Sequence, residues 1–502
     1  MRNEAAQNAI FTLDGRIAET TTTHAYFHRI THGLEARLLS MRRQRNSLIN
    51  QIAPISSLPN ELLSAIFEHC HPPSPSLRTG PPIEIVLSHI NQRFRDIAMN
   101  TRLLWARIEV SFRTPFDKVI AYLQRSRTSP FDLYIDLDTN LGSGSDLRLG
   151  TDVQLYTISE WETIMSYMTR CRRLSARCNE PNVVDGMIIK LHMVDAPLLQ
   201  SLQIECSYEE VEHHTGAYRQ IFGGGAPALT AVRLKGWGVH QCLPPLAGVT
   251  SLTLLESSWG TAWSDLRDIL GGCLSLTHLV FGYIFTEDIP DNFESTIILP
   301  TLRSLGISTH DSDGVPRIDQ ILLAISAPVL ESLVIDHIVE EDLVDISQLQ
   351  NSDCFPHLRY LSVSLLSGVE IGQESWTLFC SVFPRVTHFT LRSDGYETVG
   401  AETLITALAY TPAESASPTL PLILPELNTL TLSCVYVRTA MLLCNLVSKW
   451  HAAGWPLRSL QLPKAIIHDE AFAFSLDHLR ALIEVKEYES NDDEIEGIWN
   501  WS

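Results

Sequence analysis

Positive charge is scarce in this chain. Its 502 residues carry 37 Lys plus Arg against 58 Asp plus Glu, a formal net charge of −21. Nucleic acid and anionic membrane both attract clustered cations, so neither is expected as the main partner. No apolar run approaches the roughly 18 to 20 residues that span a bilayer. The stretches from Ile321 to Ile325 and from Met441 to Val447 are short amphipathic pieces. The opening MRNEAAQNAIFTLDG places acidic and polar residues where a secretory leader needs an apolar core. The ten cysteines are scattered, Cys171 and Cys178 being the nearest pair, and no C-x-x-C occurs. That usage predicts reduced, mostly buried thiols and a cytosolic or nuclear setting.

Signatures of chemistry are missing as well. There is no G-x-x-x-x-G-K-[ST], no H-E-x-x-H and no serine nucleophile elbow. Gly223-Gly224-Gly225 runs into Ala226-Pro227, a loop ahead of a strand. His69-Cys70-His71 and His213-His214 are adjacent residues, which rarely converge on one ion without further donors at proper spacing. No cysteine has a flanking context that marks it as a nucleophile. The expectation is a non-catalytic protein with no metal and no cofactor, whose partners are other proteins.

What is present is apolar and periodic. Hydrophobic residues make up 45% and charged ones 19%, enough for a large core, and the length calls for more than one structural unit. Residues 1–53 contain no Pro and only two Gly. Phe27, Leu34, Met41 and Leu48 recur at intervals of seven, with Leu38 and Ile52 four beyond two of them. This a/d-like seam predicts a helix. With Arg37, Arg42, Arg43 and Arg45 nearby, the segment reads as a nuclear-import or self-association element, a solvated helix, or a seam docked on the rest of the chain.

A second texture begins near Ser57. In Leu58-Pro59-Asn60-Glu61-Leu62-Leu63-Ser64-Ala65-Ile66-Phe67, Pro59 suits the first helical position and Glu61 the first turn. Leu62, Leu63, Ile66 and Phe67 form one apolar stripe. Five prolines between Pro72 and Pro82 demand a loop. Ile83, Val86, Leu87, Ile90, Phe94, Ile97 and Ala98 then spell one amphipathic helix, followed by Leu103, Leu104 and Trp105. A unit of this size cannot cover such a face alone.

These residues resemble the F-box family. Its opening, Leu-Pro-x-Glu-Leu-Leu-x-x-Ile-Phe, is matched by Leu58, Pro59, Glu61, Leu62, Leu63, Ile66 and Phe67. In its second half Asn91 stands where the family often has Cys and Phe94 where it has Trp, followed by Arg95; Leu104 and Trp105 close the motif. The resemblance covers residues 54–106. It implies an all-α box that docks on the Skp-type adaptor of a cullin ubiquitin ligase, with Leu58, Pro59, Leu62 and Ile66 filling the adaptor's groove. Glu61, Leu63, Phe67, Ile90, Phe94, Leu104 and Trp105 are the further residues it assigns to that contact.

Beyond residue 170 one pattern keeps returning: apolar, two variable, apolar, one variable, apolar, often after Pro. Pro197 to Ile204 and Pro300 to Ile307 are good copies. The central apolar residue recurs at Leu202, Val232, Leu252, Leu279, Leu305, Leu333, Leu361, Phe389, Leu430 and Leu460. Steps of 26 to 30 dominate, with one of 20 and one of 41, the latter holding a Pro- and Ser-rich insertion at 412–418. Such a period belongs to leucine-rich-type solenoids. Helical patterns lie between the copies, at Ile318–Ile321–Leu322–Ile325, Trp376–Phe379–Cys380–Phe383 and Leu442–Leu443–Leu446–Val447. Strand and helix in alternation predict an α/β solenoid over 171–483 with a parallel sheet on its concave side. The outward strand positions are the candidate substrate surface: Gln203, Arg233, Thr253, Ser362, Thr390, Thr431 and Gln461, with Val280, Gly306 and Val334 between them.

Residues 107–170 read as degenerate repeats, with a strand at 131–137 and a helix at 158–168. Phe472, Leu476, Leu479 and Leu482 suggest a capping helix, and 484–502 an acidic, disordered tail. The reading that follows is a ligase substrate receptor, the box attaching the chain to the adaptor and through it to the cullin, and the solenoid holding a protein substrate. The alternative is a repeat scaffold acting outside any ligase, its box only a cap.

Overall fold

The computed structural model describes residues 2–70, 80–111, 113–137, 158–178, 181–206, 220–236, 242–255, 263–282, 296–308, 318–351, 355–366, 369–393, 399–409, 423–433 and 435–488. The chain is mixed α/β and divides into two compact units, Met1–Leu104 and Trp105–Ser502.

The first unit is helical. α1 (Arg2–Ile52) is a single helix of 51 residues. In its run of four threonines each hydroxyl is satisfied within the helix, donating to the carbonyl four residues back, as Thr20 does to Arg16 at 2.6 Å. Three short helices follow: α2 (Asn60–His69), α3 (Ile83–Ile90) and α4 (Gln92–Asn100). Pro59 stands one position before the first turn of α2, at its N-cap, and Glu61 lies in that turn. The apolar run from Ile83 to Ala98 is not one helix. It breaks at Asn91, whose backbone is extended and whose side chain accepts from the Phe94 amide at 2.8 Å. Asparagine competes with a helical backbone in this way and is a strong N-cap, so it ends α3 and starts α4. Phe67 of α2 and Phe94 of α4 meet with ring centroids 5.1 Å apart.

The second unit is built on one parallel sheet of fourteen strands. Its first part runs β1 (Arg107–Ser111), α5 (Phe116–Arg125), β2 (Phe131–Leu137), α6 (Ile158–Met165), β3 (Cys171–Cys178), α7 (Pro181–His192), β4 (Ser201–Cys206) and β5 (Ala231–Lys235). Then come β6 (Ser251–Leu255), α8 (Trp263–Gly271), β7 (His278–Gly282), β8 (Ile297–Ile298), β9 (Ser304–Ser308), α9 (Ile318–Ala324), β10 (Ile325–Ser326) and β11 (Ser332–Ile338). The last part is α10 (Glu340–Ser347), β12 (Tyr360–Leu365), α11 (Gln373–Ser381), β13 (His388–Ser393), α12 (Val399–Ala409), β14 (Thr429–Leu432), α13 (Val437–Ala453), β15 (Ser459–Pro463), α14 (Lys464–Ile467), α15 (Ala473–Leu482) and β16 (Glu484–Tyr488). β8 and β10 form a separate two-stranded ladder; the other strands join the sheet in chain order.

The repeat explains the register. Leu202, Val232, Leu252, Leu279, Leu305, Leu333, Leu361, Phe389, Leu430 and Leu460 stand side by side across the ladder, and each is at most 2% exposed. Between the strands the helical patterns are helices: Ile321 and Leu322 in α9, Trp376 and Phe379 in α11, and Leu443 and Leu446 in α13 are all buried. Each buried Leu contributes about 2 kcal/mol, and no single repeat suffices alone. The 17-residue α13 ends at Gly454, whose φ of 72° is the left-handed conformation that closes a helix at little cost to glycine. The step of 20 falls between β5 and β6, where the described residues contain no helix.

Two boundaries move. The sheet begins before residue 171, because the degenerate repeats of 107–170 carry its register onward from β3 through β2 and β1. The tail beginning at Glu484 is not wholly outside the fold, because Glu484–Tyr488 pairs with β15 as the last strand. Its charged side chains suit an edge, where they discourage pairing with another sheet. The insertion at 412–418 and the remainder of the tail lie outside the described residues. Among the described residues no helix is long and apolar enough to cross a membrane.

Candidate docking site

α2 has two apolar sides, because Leu62–Leu63 and Ile66–Phe67 are adjacent pairs one turn apart. Leu63 and Phe67 turn inward and are 0% and 1% exposed. Leu62 and Ile66 turn outward and are 53% and 42% exposed. With Leu58, Ala65, His69 and Cys70 they line a shallow, mostly apolar hollow on the surface of the first unit.

The stretch leading into α2 is held by a side chain the motif did not single out. Arg93 of α4 donates to the carbonyl oxygens of Ser56 and Leu58 at 2.5 Å each, and to Asn60 Oδ1 at 2.7 and 3.0 Å. A guanidinium has five donors in a fixed fork, so one Arg can clamp three acceptors. Ser64 and Thr101 share a hydrogen bond of 2.7 Å, joining α2 to the end of α4. The carbonyl acceptors carry no signature in the sequence; an asparagine at position 91 is a helix-cap signal, but the apolar spacing runs straight through it.

The eleven residues assigned by resemblance to the adaptor contact therefore separate. Leu58, Pro59, Glu61, Leu62, Ile66 and Ile90 reach the surface. Leu63, Phe67, Phe94 and Leu104 do not: all are at most 5% exposed and serve as interior packing. Trp105 belongs to the second unit and is fully buried, its ring edge-on to Tyr122 at 5.1 Å and under the Arg125 guanidinium at 4.3 Å.

In the second unit the candidate substrate positions form one row. Gln203, Arg233, Thr253, Val280, Gly306, Val334, Ser362, Thr390, Thr431 and Gln461 are consecutive partners across the sheet. Only part of the row is open. Thr253, Val280, Val334 and Thr431 are at most 6% exposed, so Thr253 and Thr431 are not free reading positions. Thr431 spends its hydroxyl on Gln461 at 3.1 Å.

Charge gathers at the front of the sheet. Glu205 receives Gln203 Nε2 at 2.8 Å and lies 3.2 Å from Arg177 and 3.3 Å from Arg233. Burial pushes its carboxyl up, but the Gln203 hydrogen bond and the two guanidinium groups outweigh burial and bring it below the usual glutamate range. Asp132 takes a two-pronged bond from Arg172, at 2.9 and 3.0 Å. Further along, Arg392 reaches Asp336 at 3.1 Å past the small Ser364 between their strands, and both ends are nearly dry.

Among the described residues no group of three or more His, Cys, Asp or Glu could hold a metal ion; His71, His213 and His214 lie outside them. Eight cysteines are described, all free and six of them buried. Burial raises the Cys171 and Cys242 thiols to about 12 and Cys273 to about 11, which suppresses the reactive thiolate. No family model matches the chain, and no curated protein matches it.

Proposed function

We propose that the chain is a substrate-recognition subunit of a cullin-type ubiquitin ligase, an F-box protein whose repeat domain is a leucine-rich-type solenoid. The observation that carries this reading is the outward side of α2. Leu62 and Ile66 are exposed apolar residues at helical spacing, continued by Leu58, while their neighbours Leu63 and Phe67 anchor the helix from behind. An apolar helix face laid into a partner's groove is a recurring mode of recognition, and these are the positions the F-box resemblance assigns to the adaptor.

The role is positional. The box attaches the chain to the adaptor and through it to the cullin, and the sheet unit holds a protein substrate near the ubiquitin-loaded enzyme. The gain is a high effective concentration of substrate lysine near a thioester, without a catalytic group in this chain. On the sheet, the half-exposed Arg177, whose partner Glu205 is buried, and the partly exposed Thr390 and Gln461 are the surface available for reading a substrate.

The test is capture of a purified Skp-type adaptor by the full chain. Wild type is expected to bind, while Leu62→Asp/Ile66→Asp and Leu58→Ala/Pro59→Ala lose capture with the sheet unit still folded. Adaptor binding that survives both double variants, or no binding by wild type, would leave the scaffold reading in place.

A further inference from the structure

We infer that α1 is one half of an antiparallel coiled coil whose other half is α1 of a second copy of this chain. The seam of Phe27, Leu34, Met41 and Leu48 extends forward through Leu13, and the alternate seam position holds Ile10, Ile17, Leu38 and Ile52. These nine side chains are 44% to 82% exposed, and among the described residues none of their own chain covers them. A strict seven-residue repeat drifts by about 20° per heptad on a straight helix, roughly a third of a turn from Ile10 to Ile52. A stripe kept in register over that length serves a partner that supercoils with it, since packing on a flat surface gives no reason for it.

The seam's polar positions choose the occupant and its direction. They are Thr20, His24, Thr31 and Arg45. In a parallel pair each would face its own copy, setting Arg45 against Arg45 and His24 against His24, and the flanking Arg37 would lie beside Arg42 of the other chain. Run antiparallel with the two helices in full overlap, every polar position meets an apolar one instead. Arg45 lies against Leu13, His24 against Leu34, Thr31 against Phe27 and Thr20 against Leu38, while Ile10 meets Leu48 and Ile17 meets Met41. The two threonines bring no unpaired group to the interface, because Thr20 already donates to Arg16 and Thr31 to Phe27, at 2.6 and 2.9 Å. Arg45 can lay its methylene stem on Leu13 and keep its charge in water.

The flanks agree with that direction. In this register Asp14 of each chain stands beside Arg42 of the other, Glu35 beside Thr21, Arg37 beside Thr23 and Arg16 beside Gln44. No carboxylate or guanidinium faces its like, although at the two-fold axis His28 faces His28 of the other chain and Ile30 faces Ile30. A two-fold axis makes every such contact occur twice, and like charges placed opposite each other are what excludes the parallel alternative.

Sedimentation of the full chain tests this. Wild type is expected at twice the chain mass, and Leu34→Glu/Leu38→Glu at the monomer mass. Asp14→Arg and Arg42→Asp should each weaken the dimer on the order of tenfold at low salt, and their combination in one chain should restore it. A wild-type monomer at every concentration, a double variant no tighter than the singles, or strengthening by Arg42→Asp alone would overturn the proposal. The last result is the mark of a parallel pair, in which Arg42 faces Arg37.

Discussion

The helical unit and the sheet unit treat their surfaces in opposite ways. The helical unit leaves large apolar side chains in water, Leu62 and Ile66 on α2 and the whole seam of α1. The sheet unit hides even part of the row that its pleat turns away from the helices, where Thr253, Val280 and Val334 are almost fully covered. Its charge is gathered around the buried Glu205, where only Arg177 is half exposed. If both units recognise partners as proposed, the first would do so through apolar area and the second through polar groups at its strand positions. Partners of different chemistry are expected at the two, with different responses to salt.

Substitutions break this contrast in graded steps. Truncating the inner side of α2 with Phe67→Ala should cost about 3–5 kcal/mol, read as lost hydrogen-exchange protection of the α2–α4 amides. In the sheet unit, Arg392→Ala leaves Asp336 buried without its cation and should cost a similar 3–5 kcal/mol or so, measured by denaturant unfolding with the helical unit's amides followed separately. Asn91→Ala removes the cap between α3 and α4 and should cost about 1 kcal/mol. Leu62→Asp, one residue from Leu63, should change stability by no more than about 0.5 kcal/mol and lose adaptor capture all the same. Equal destabilisation by Leu62→Asp and Phe67→Ala would erase the distinction between the two sides of the helix.

The smallest effect is a pH dependence. The Glu205 carboxyl lies below its ordinary value in the folded chain, so its stabilising contribution is present above the unfolded pKa of about 4.3. It is lost as the pH falls through the lower folded value. The stability difference between wild type and Glu205→Gln should stay flat above about pH 6 and shrink as the pH falls below about 4.3. A difference that grows in acid would contradict the ion-pair geometry.

The parallel sheet, the helices between its strands and the long first helix follow from periodicity, which is a local property: the spacing of Leu305, Leu333 and Leu361 sets both the strands and their common register. The inward and outward sides of α2 do not follow from it. Leu62, Leu63, Ile66 and Phe67 are one unbroken apolar stripe in the sequence, and packing of Phe94 against Phe67 decides which half stays in water. Periodicity also ran on through Asn91, because apolar spacing continues across a break that a single side-chain hydrogen bond enforces. Arg93's clamp on the carbonyls before α2, the cover over Thr253 and Thr431, and the pairing of Glu484–Tyr488 with β15 depend on groups distant in the chain. Spacing along a polypeptide reports which residues want burial; only the assembled structure has a limited interior to give them, and so decides which ones remain outside.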